Sequence, residues 1–222
     1  MSKHDNYLKE SEKISVELKR LLFEEKGWEL KKDSKTCKVY NIPAAHTPQA
    51  FVWKGEADLD MKPERIFDMI HPTEKYRVLW DPNLAECRLL EELSNNHLLC
   101  HQIMKAHLLG LLSARDSIDV FKLEDNDQYF SSQFGSVPCD SIPAGKDCIR
   151  AWSYPSGIFI FKNTTPTKVV VFFQVDGKLD VVPPAVLNAA MPTFVKGYFK
   201  ALKKTAEIEW TPLNNVPGRR KT

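Results

Sequence analysis

The residues able to do chemistry are scattered along the chain rather than gathered. Paired carboxylates stand at Asp58 and Asp60 and at Glu91-Glu92, the residue types that general acid–base catalysis uses. Both pairs fall at the ends of extended stretches and read as solvated strand ends. His97 and His101 are four apart, which on a strand is merely one face, and no H-E-x-x-H exists to hold a metal. Ser156-Gly157 is turn chemistry, since no G-x-S-x-G nucleophile elbow is present. No P-loop or G-x-G-x-x-G occurs. The five cysteines, Cys37, Cys87, Cys100, Cys139 and Cys148, are odd in number and lack a C-x-x-C pair. They read as reduced thiols rather than a disulfide scaffold or a zinc site. The expectation is a protein that is not an enzyme and needs no metal and no cofactor beyond a bound ligand.

Other polar residues are set within apolar strands. Arg115 opens a strand directly after the apolar loop 107–112. An arginine there lies at the surface or, if buried, needs partners. Strand alternation puts Asn96, Leu98, Cys100, Gln102 and Met104 on one face, so if Asn96 points inward the others do too; Ser117 on the next strand is a further candidate. On the last strand Phe172 and Gln174 are the matching inward set, and Trp152 is a further candidate for ligand binding. Leu187, Met191, Phe194, Tyr198 and Leu202 follow at steps of four, three, four and four, one apolar helix face. Met104 and Met191 suit an adaptable wall. Any one of these residues reads equally well as ordinary core; the set reads as a lining.

The elements that must position them follow from periodicity. Tyr7, Leu8, Ser11, Ile14, Leu18, Leu21 and Leu22 predict an amphipathic helix over 5–25, stopped by Gly27. Extended segments are expected at 28–32, 38–42 and 50–57, and a short helix from Pro63, ended by Pro72. Strands are expected at 85–93, 96–106, 115–124, 127–136, 147–154, 157–162 and 167–175, separated by turn residues. A long helix opens at Pro183-Pro184 and contains Pro192, which should kink it or cost a hydrogen bond. The fold class is α+β: a curved antiparallel sheet crossed by one long apolar helix. Such a sheet facing one helix leaves room for a hollow, where ligand sites are often found. Residues 1–210 are expected to form one domain and 211–222 a disordered tail.

The 222 residues are 43% hydrophobic and carry a net charge of +2, which gives no basic stripe for nucleic acid. The charged N-terminus has no apolar signal core, and no apolar run approaches the ~18 residues a membrane span requires. A cytoplasmic monomer, peripheral to membranes, is expected.

Four local patterns carry a family resemblance. Trp80-Asp81 follows the short helix. Leu111-Leu112-Ser113-Ala114-Arg115-Asp116 is an apolar loop running into an Arg-Asp pair. Ile149 through Gly157 ends in a Pro-x-Gly turn, and Val175-Asp176-Gly177-Lys178-Leu179 precedes the last helix. In this order, across nearly the whole chain, they resemble the START domain, the lipid-transfer domain related to the steroidogenic acute regulatory protein, and most of all its small cytosolic sterol-binding branch. The resemblance implies a helix-grip fold, a sheet around a tunnel lidded by the C-terminal helix, and one sterol, phospholipid or similar guest. Carotenoid, bile acid and fatty acid are further candidates, and a cyclase or hydrolase on the same scaffold is the alternative of another class. The resemblance places Arg115 inside the tunnel. The positions expected to hold an acidic partner are Asn96 and Met104, so Gln102, backbone, water or the ligand itself must satisfy it. Leu108, Leu109, Gly110, Leu111 and Leu112 form either a buried loop or a lid that docks on membranes, with the glycine as hinge.

Overall fold

Most strands carry apolar residues on both faces, so the sheet they form needs a cover on each side. The computed structural model describes residues 2–44, 50–73, 76–106, 113–145, 147–179, 182–214 and 216–220. In chain order the elements are α1 (Lys3–Phe23), β1 (Glu29–Asp33), β2 (Lys38–Pro43), β3 (Phe51–Leu59), α2 (Pro63–Ile70), α3 (Arg77–Trp80), β4 (Leu84–Ser94), β5 (His97–Met104), β6 (Ala114–Asp125) and β7 (Tyr129–Ser136). They continue with β8 (Cys148–Arg150), β9 (Trp152–Ser153), β10 (Ser156–Phe161), β11 (Thr167–Phe173), β12 (Val175–Asp176) and α4 (Pro184–Lys204). A ten-stranded sheet runs β1-β2-β3-β11-β10-β7-β6-β5-β4, with β8 alongside the first part of β6. Every pair is antiparallel except β6 with β8. β9 and β12 form a separate short ribbon.

α1 covers the outer face. A capping box starts it: the Asp5 amide donates to Ser2 Oγ at 3.0 Å, and the Ser2 amide donates to Asp5 Oδ2 at 3.0 Å. Its buried Tyr7, Ile14, Leu18 and Leu21 pack with Ile118, Val120, Phe159 and Phe172. Lys122 and Glu124 of β6 pair with Glu12 and Lys19 of α1 at 2.7 and 2.8 Å, fixing the helix along the strands.

α4 covers the inner face, but unevenly. It packs on β2 and β3 at one end of the sheet and touches α3, which in turn packs on β4 at the other end. The sheet must therefore curve to bring its ends within reach of one helix. Val195, Tyr198, Phe199 and Leu202 in the second half are buried, whereas Leu187 and Met191 in the first half are only half-buried. Gly55 on β3 sets the close approach. A Cβ there would lie 2.6 Å from Val195 Cγ1 and 2.7 Å from Phe199 Cε2, so only glycine admits the helix at this depth.

Three features depart from the sequence expectations. The single strand expected over 147–154 divides at Ala151: β8 pairs with β6 while β9 turns away to pair with β12. The turn of helix α3 was not expected. Residues 211–220, read as a disordered tail, are held wherever they are described. After a 3₁₀ turn at Thr205–Glu207, residues 208–214 and 216–220 are held against α2 and its neighbours. Arg65 donates to the carbonyls of Thr205, Ala206 and Ile208 at 2.5, 3.0 and 2.6 Å. Asp68, fully buried, accepts from Trp210 Nε1 at 2.9 Å, from the Leu213 amide at 3.1 Å and from the Arg219 guanidinium. The Gly218 amide donates to Asn95 O at 2.9 Å. A buried carboxylate requires such donors. They come from about 150 residues further along the chain, so local composition gave no sign of them.

His71, at the end of α2, donates from Nε2 to Pro217 O at 3.1 Å. Burial pushes its pKa down to about 4. The unfolded chain takes up this proton near pH 6.5, well before the folded chain does. Stability is therefore lost as pH falls from about 6.5 to about 4, by up to roughly 3 kcal/mol, and is unaffected above that window. In urea titrations at stepped pH, His71→Gln is expected to flatten this part of the profile; a slope identical to wild type would contradict the assignment. Gly55→Val is expected to lower stability by about 1–3 kcal/mol through overpacking. An unchanged unfolding midpoint would contradict the close approach of α4.

Candidate functional site: the inner face beneath α4

Strand registry decides which side chains line the inner face. Leu98 and Cys100 of β5, Phe121 and Leu123 of β6, Phe130 of β7, Ile158 and Ile160 of β10, and Val169 and Val171 of β11 share one core with α2 and α4. Alternation adds Gln102, Ser117 and Asp119 to that face. Stacked rings floor it: Phe121 on Phe134 at 5.0 Å and Phe67 on Phe130 at 4.9 Å. Cys100 is hydrogen-bonded by Cys87 and buried, both of which push its thiol pKa up, so it serves as a neutral wall.

Among these apolar groups sits a polar nest centred on Asp119, which is 0% exposed. Gln102 Nε2 and Ser117 Oγ each donate to Asp119 Oδ2 at 2.6 Å, and Ser136 Oγ donates to Oδ1 at 2.7 Å. The Ser153 amide in turn donates to Ser136 Oγ at 2.7 Å. No cation among the described residues pairs with Asp119. Burial raises its pKa, opposed by these hydrogen bonds.

The candidate residues divide as follows. Leu98, Cys100, Gln102 and Ser117 lie on the inner face as expected, and Met104 is half-buried at the end of β5. Tyr198 is buried, its ring 5.2 Å from both Trp80 and Phe173. Phe194 is 36% exposed with its ring 5.5 Å from Phe173. Asn96 is not in a strand: it sits in the turn between β4 and β5, its Oδ1 accepting from Ser94 Oγ at 3.1 Å. Phe172 faces outward, packed with Phe159 and Trp28, because Val171 and Phe173 take the inner positions. β11 is apolar on both faces, and alternation then cannot say which is which. Gln174 follows β11, its backbone held by Ser156 Oγ and the Tyr154 amide. Trp152 lines two outer hollows of about 270 and 230 Å³, between α1 and the ends of β7 and β9 and beneath residues 137–140. Residues 107–112, with the leucine loop, lie outside the described residues.

Arg115 is at the rim, not in the interior. Nε donates to Gly177 O at 3.0 Å and Nη1 to Ser113 O, so backbone satisfies it. Its neighbour Asp116 points outward. Arg150 donates Nε to Oδ1 at 2.9 Å and Nη2 to Oδ2 at 3.0 Å; the Gly145 amide at 3.0 Å and His101 Nε2 at 2.8 Å complete the shell. Burial works against ionisation of Asp116, but Arg150, the Gly145 amide and His101 outweigh it and hold the pKa down at about 2. The Arg-Asp pair and the Ile149–Gly157 segment, remote in sequence, are thus one clamp joining β6 to β8.

Asp119 is the residue that the sequence reading missed. The signal was present: a lone carboxylate at the centre of a strand whose same-face neighbours are Ser117, Phe121 and Leu123.

The architecture is a helix-grip fold, an open antiparallel sheet held between an N-terminal and a C-terminal helix. The family model for the START domain matches residues 10–208, and the chain belongs to that family. It is 25% identical over 194 residues to the human StAR-related lipid transfer protein 6, covering 84% of this chain and 85% of that one. Its fold is similar to the structure of human StAR-related lipid transfer protein 5, with a TM-score of 0.84 at 20% identity, over 91% of this chain and 97% of that chain. Human STARD10 matches with a TM-score of 0.73 at 23% identity, over 86% and 79% of the two chains. Among the described residues no helix is long and apolar enough to cross a membrane.

Arg150→Ala removes the cation that faces the buried Asp116. It is expected to cost about 3 kcal/mol of stability while leaving any ligand preference unchanged, because the clamp is on the outer face. Chemical denaturation and a ligand-binding panel check the two halves of this statement; a shifted ligand preference would contradict the assignment of faces.

Proposed function

We propose that this chain binds one hydrophobic lipid between the inner face of the sheet and the first half of α4, and carries it between membranes without altering it covalently. The observation that carries this reading is the uneven seating of α4. Its second half is locked at Gly55, while Leu187 and Met191 in its first half are only half-buried, and Met191 packs against the inner core. Membership of the START family and relatives named as lipid transfer proteins support it. Burying about 400 Å² of apolar guest stabilises it by ~10 kcal/mol relative to water, which removes much of the barrier to leaving a bilayer. A sterol suits the site best: a rigid apolar body matches the aromatic floor and one hydroxyl matches a single polar nest.

In this reading the protein works in the cytoplasm as a monomer, touching membranes transiently. The loop Leu108, Leu109, Gly110, Leu111 and Leu112 is the docking lid on sequence grounds, four leucines around a glycine hinge. Extraction of the purified protein followed by mass spectrometry should find one lipid per chain, and the loaded protein should deliver it from donor to acceptor vesicles. Absence of any bound or bindable lipid would contradict the function. Leu111→Asp is expected to slow vesicle transfer about tenfold with the melting temperature kept. Transfer at the wild-type rate would remove the lid from the account.

A further inference from the structure

The donors and acceptors of the nest are arranged in a fixed sense. Asp119, as a carboxylate, only accepts. It therefore holds the amide of Gln102 with its NH₂ turned toward the carboxylate, at 2.6 Å. Ser117 and Ser136 spend their hydroxyl protons on the same two oxygens. What Gln102 has left is Oε1, an acceptor for which no hydrogen bond is seen among the described residues and which is not one of the fully buried unpartnered atoms. Asp119 Oδ1, which receives one hydrogen bond from Ser136, has acceptor capacity of its own. The free valences of this wall are thus acceptors. Among the described residues no arginine, lysine or histidine hydrogen-bonds or ion-pairs with Asp119: Arg115 is tied to backbone at the rim, Arg77 pairs with Asp81, and Arg150 and His101 hydrogen-bond to Asp116.

We propose that Asp119 is a positioning residue that locks the Gln102 amide, so that the site reads a hydrogen-bond donor on its lipid and selects alcohols over the ketone or carboxylate of the same skeleton. This rests on the lipid-binding reading above and states the chemical class of its ligand. A hydroxyl entering the site gives its proton to Gln102 Oε1. A ketone or carboxylate in the same place sets acceptor against acceptor, next to a carboxylate held by neutral donors, and both groups then lose their water without replacement. With Asp119→Asn the lock is lost. An asparagine both donates and accepts, so the Gln102 amide can turn over and offer its NH₂ to a carbonyl.

The test uses the full chain and two probe pairs: cholestanol with cholestanone, and oleyl alcohol with oleic acid. Dissociation constants are measured for the wild type, Asp119→Asn and Gln102→Met, with melting temperatures as the control for folding. The wild type is expected to favour the alcohol by about tenfold or more in whichever skeleton it binds. Asp119→Asn should bring the ratio to within about threefold, mainly through tighter binding of the oxidised partner. If that variant fails to fold, Gln102→Met, which keeps the volume and removes the acceptor, should lose the preference through weaker binding of the alcohol alone. A wild type that binds both members of a pair equally, or a variant that folds and retains the full ratio, would overturn the lock. Binding of neither pair by a protein that carries some other extracted lipid would also overturn it, and would leave the lipid-binding reading standing. Failure to bind any lipid would overturn that reading, and the lock with it.

Discussion

The close contact between α4 and β3 at Gly55 is the interaction on which the rest of the structure depends. A glycine there lets Val195 and Phe199 settle against the strand, and that depth anchors the second half of the helix. One helix is too narrow to fill a curved ten-stranded sheet. α4 packs on β2 and β3, α2 on β7 and β10, and α3 on β4. The first half of α4 is half-exposed, although it carries Leu187, Met191 and Phe194. An apolar surface that its own chain leaves incompletely covered is stabilised by a guest of matching chemistry.

Charge is distributed to suit this arrangement. Nearly all strong ionic contacts lie away from the inner wall: the α1 pairs on β6, the Asp116–Arg150 clamp, and the Arg219–Asp68 pair. They hold the covers in place; the exception is the Arg77–Asp81 pair, buried beside Trp80 and Tyr198 at α3. Asp119 remains on the inner wall with neutral donors only. A buried carboxylate without a counter-ion is costly unless it is fully hydrogen-bonded. Three short hydrogen bonds to Asp119 offset that cost and orient the amide of Gln102.

Much of the architecture was legible in the sequence because periodicity and turn residues are local signals. The helical stripe of α1, the meander from β4 to β7 and the apolar face of α4 were all read correctly. The α+β class and the family resemblance also stand. What was not legible depends on partners far apart. Phe172 was assigned to the wrong face because Val169 through Phe173 are apolar on both sides, so alternation was silent. Arg115 is an arginine after an apolar loop, but its tie to Gly177 depends on where β12 ends. The residues 211–220 looked unstructured because their anchors, Asp68, His71 and Asn95, lie more than a hundred positions earlier. The role of Asp119 depends on Gln102 and Ser136 from neighbouring strands, which strand pairing brings to it.

The central claim is that a lipid lies on the inner wall under α4 rather than in the outer hollows beside α1. Photo-crosslinking with a diazirine-bearing sterol, followed by peptide mapping, tests it most directly. The account predicts labels on β5, β6 and the first half of α4, around Gln102, Ser117, Leu187 and Met191. Labels concentrated on α1, Gly135 and Trp152, with the inner wall unmarked, would contradict it.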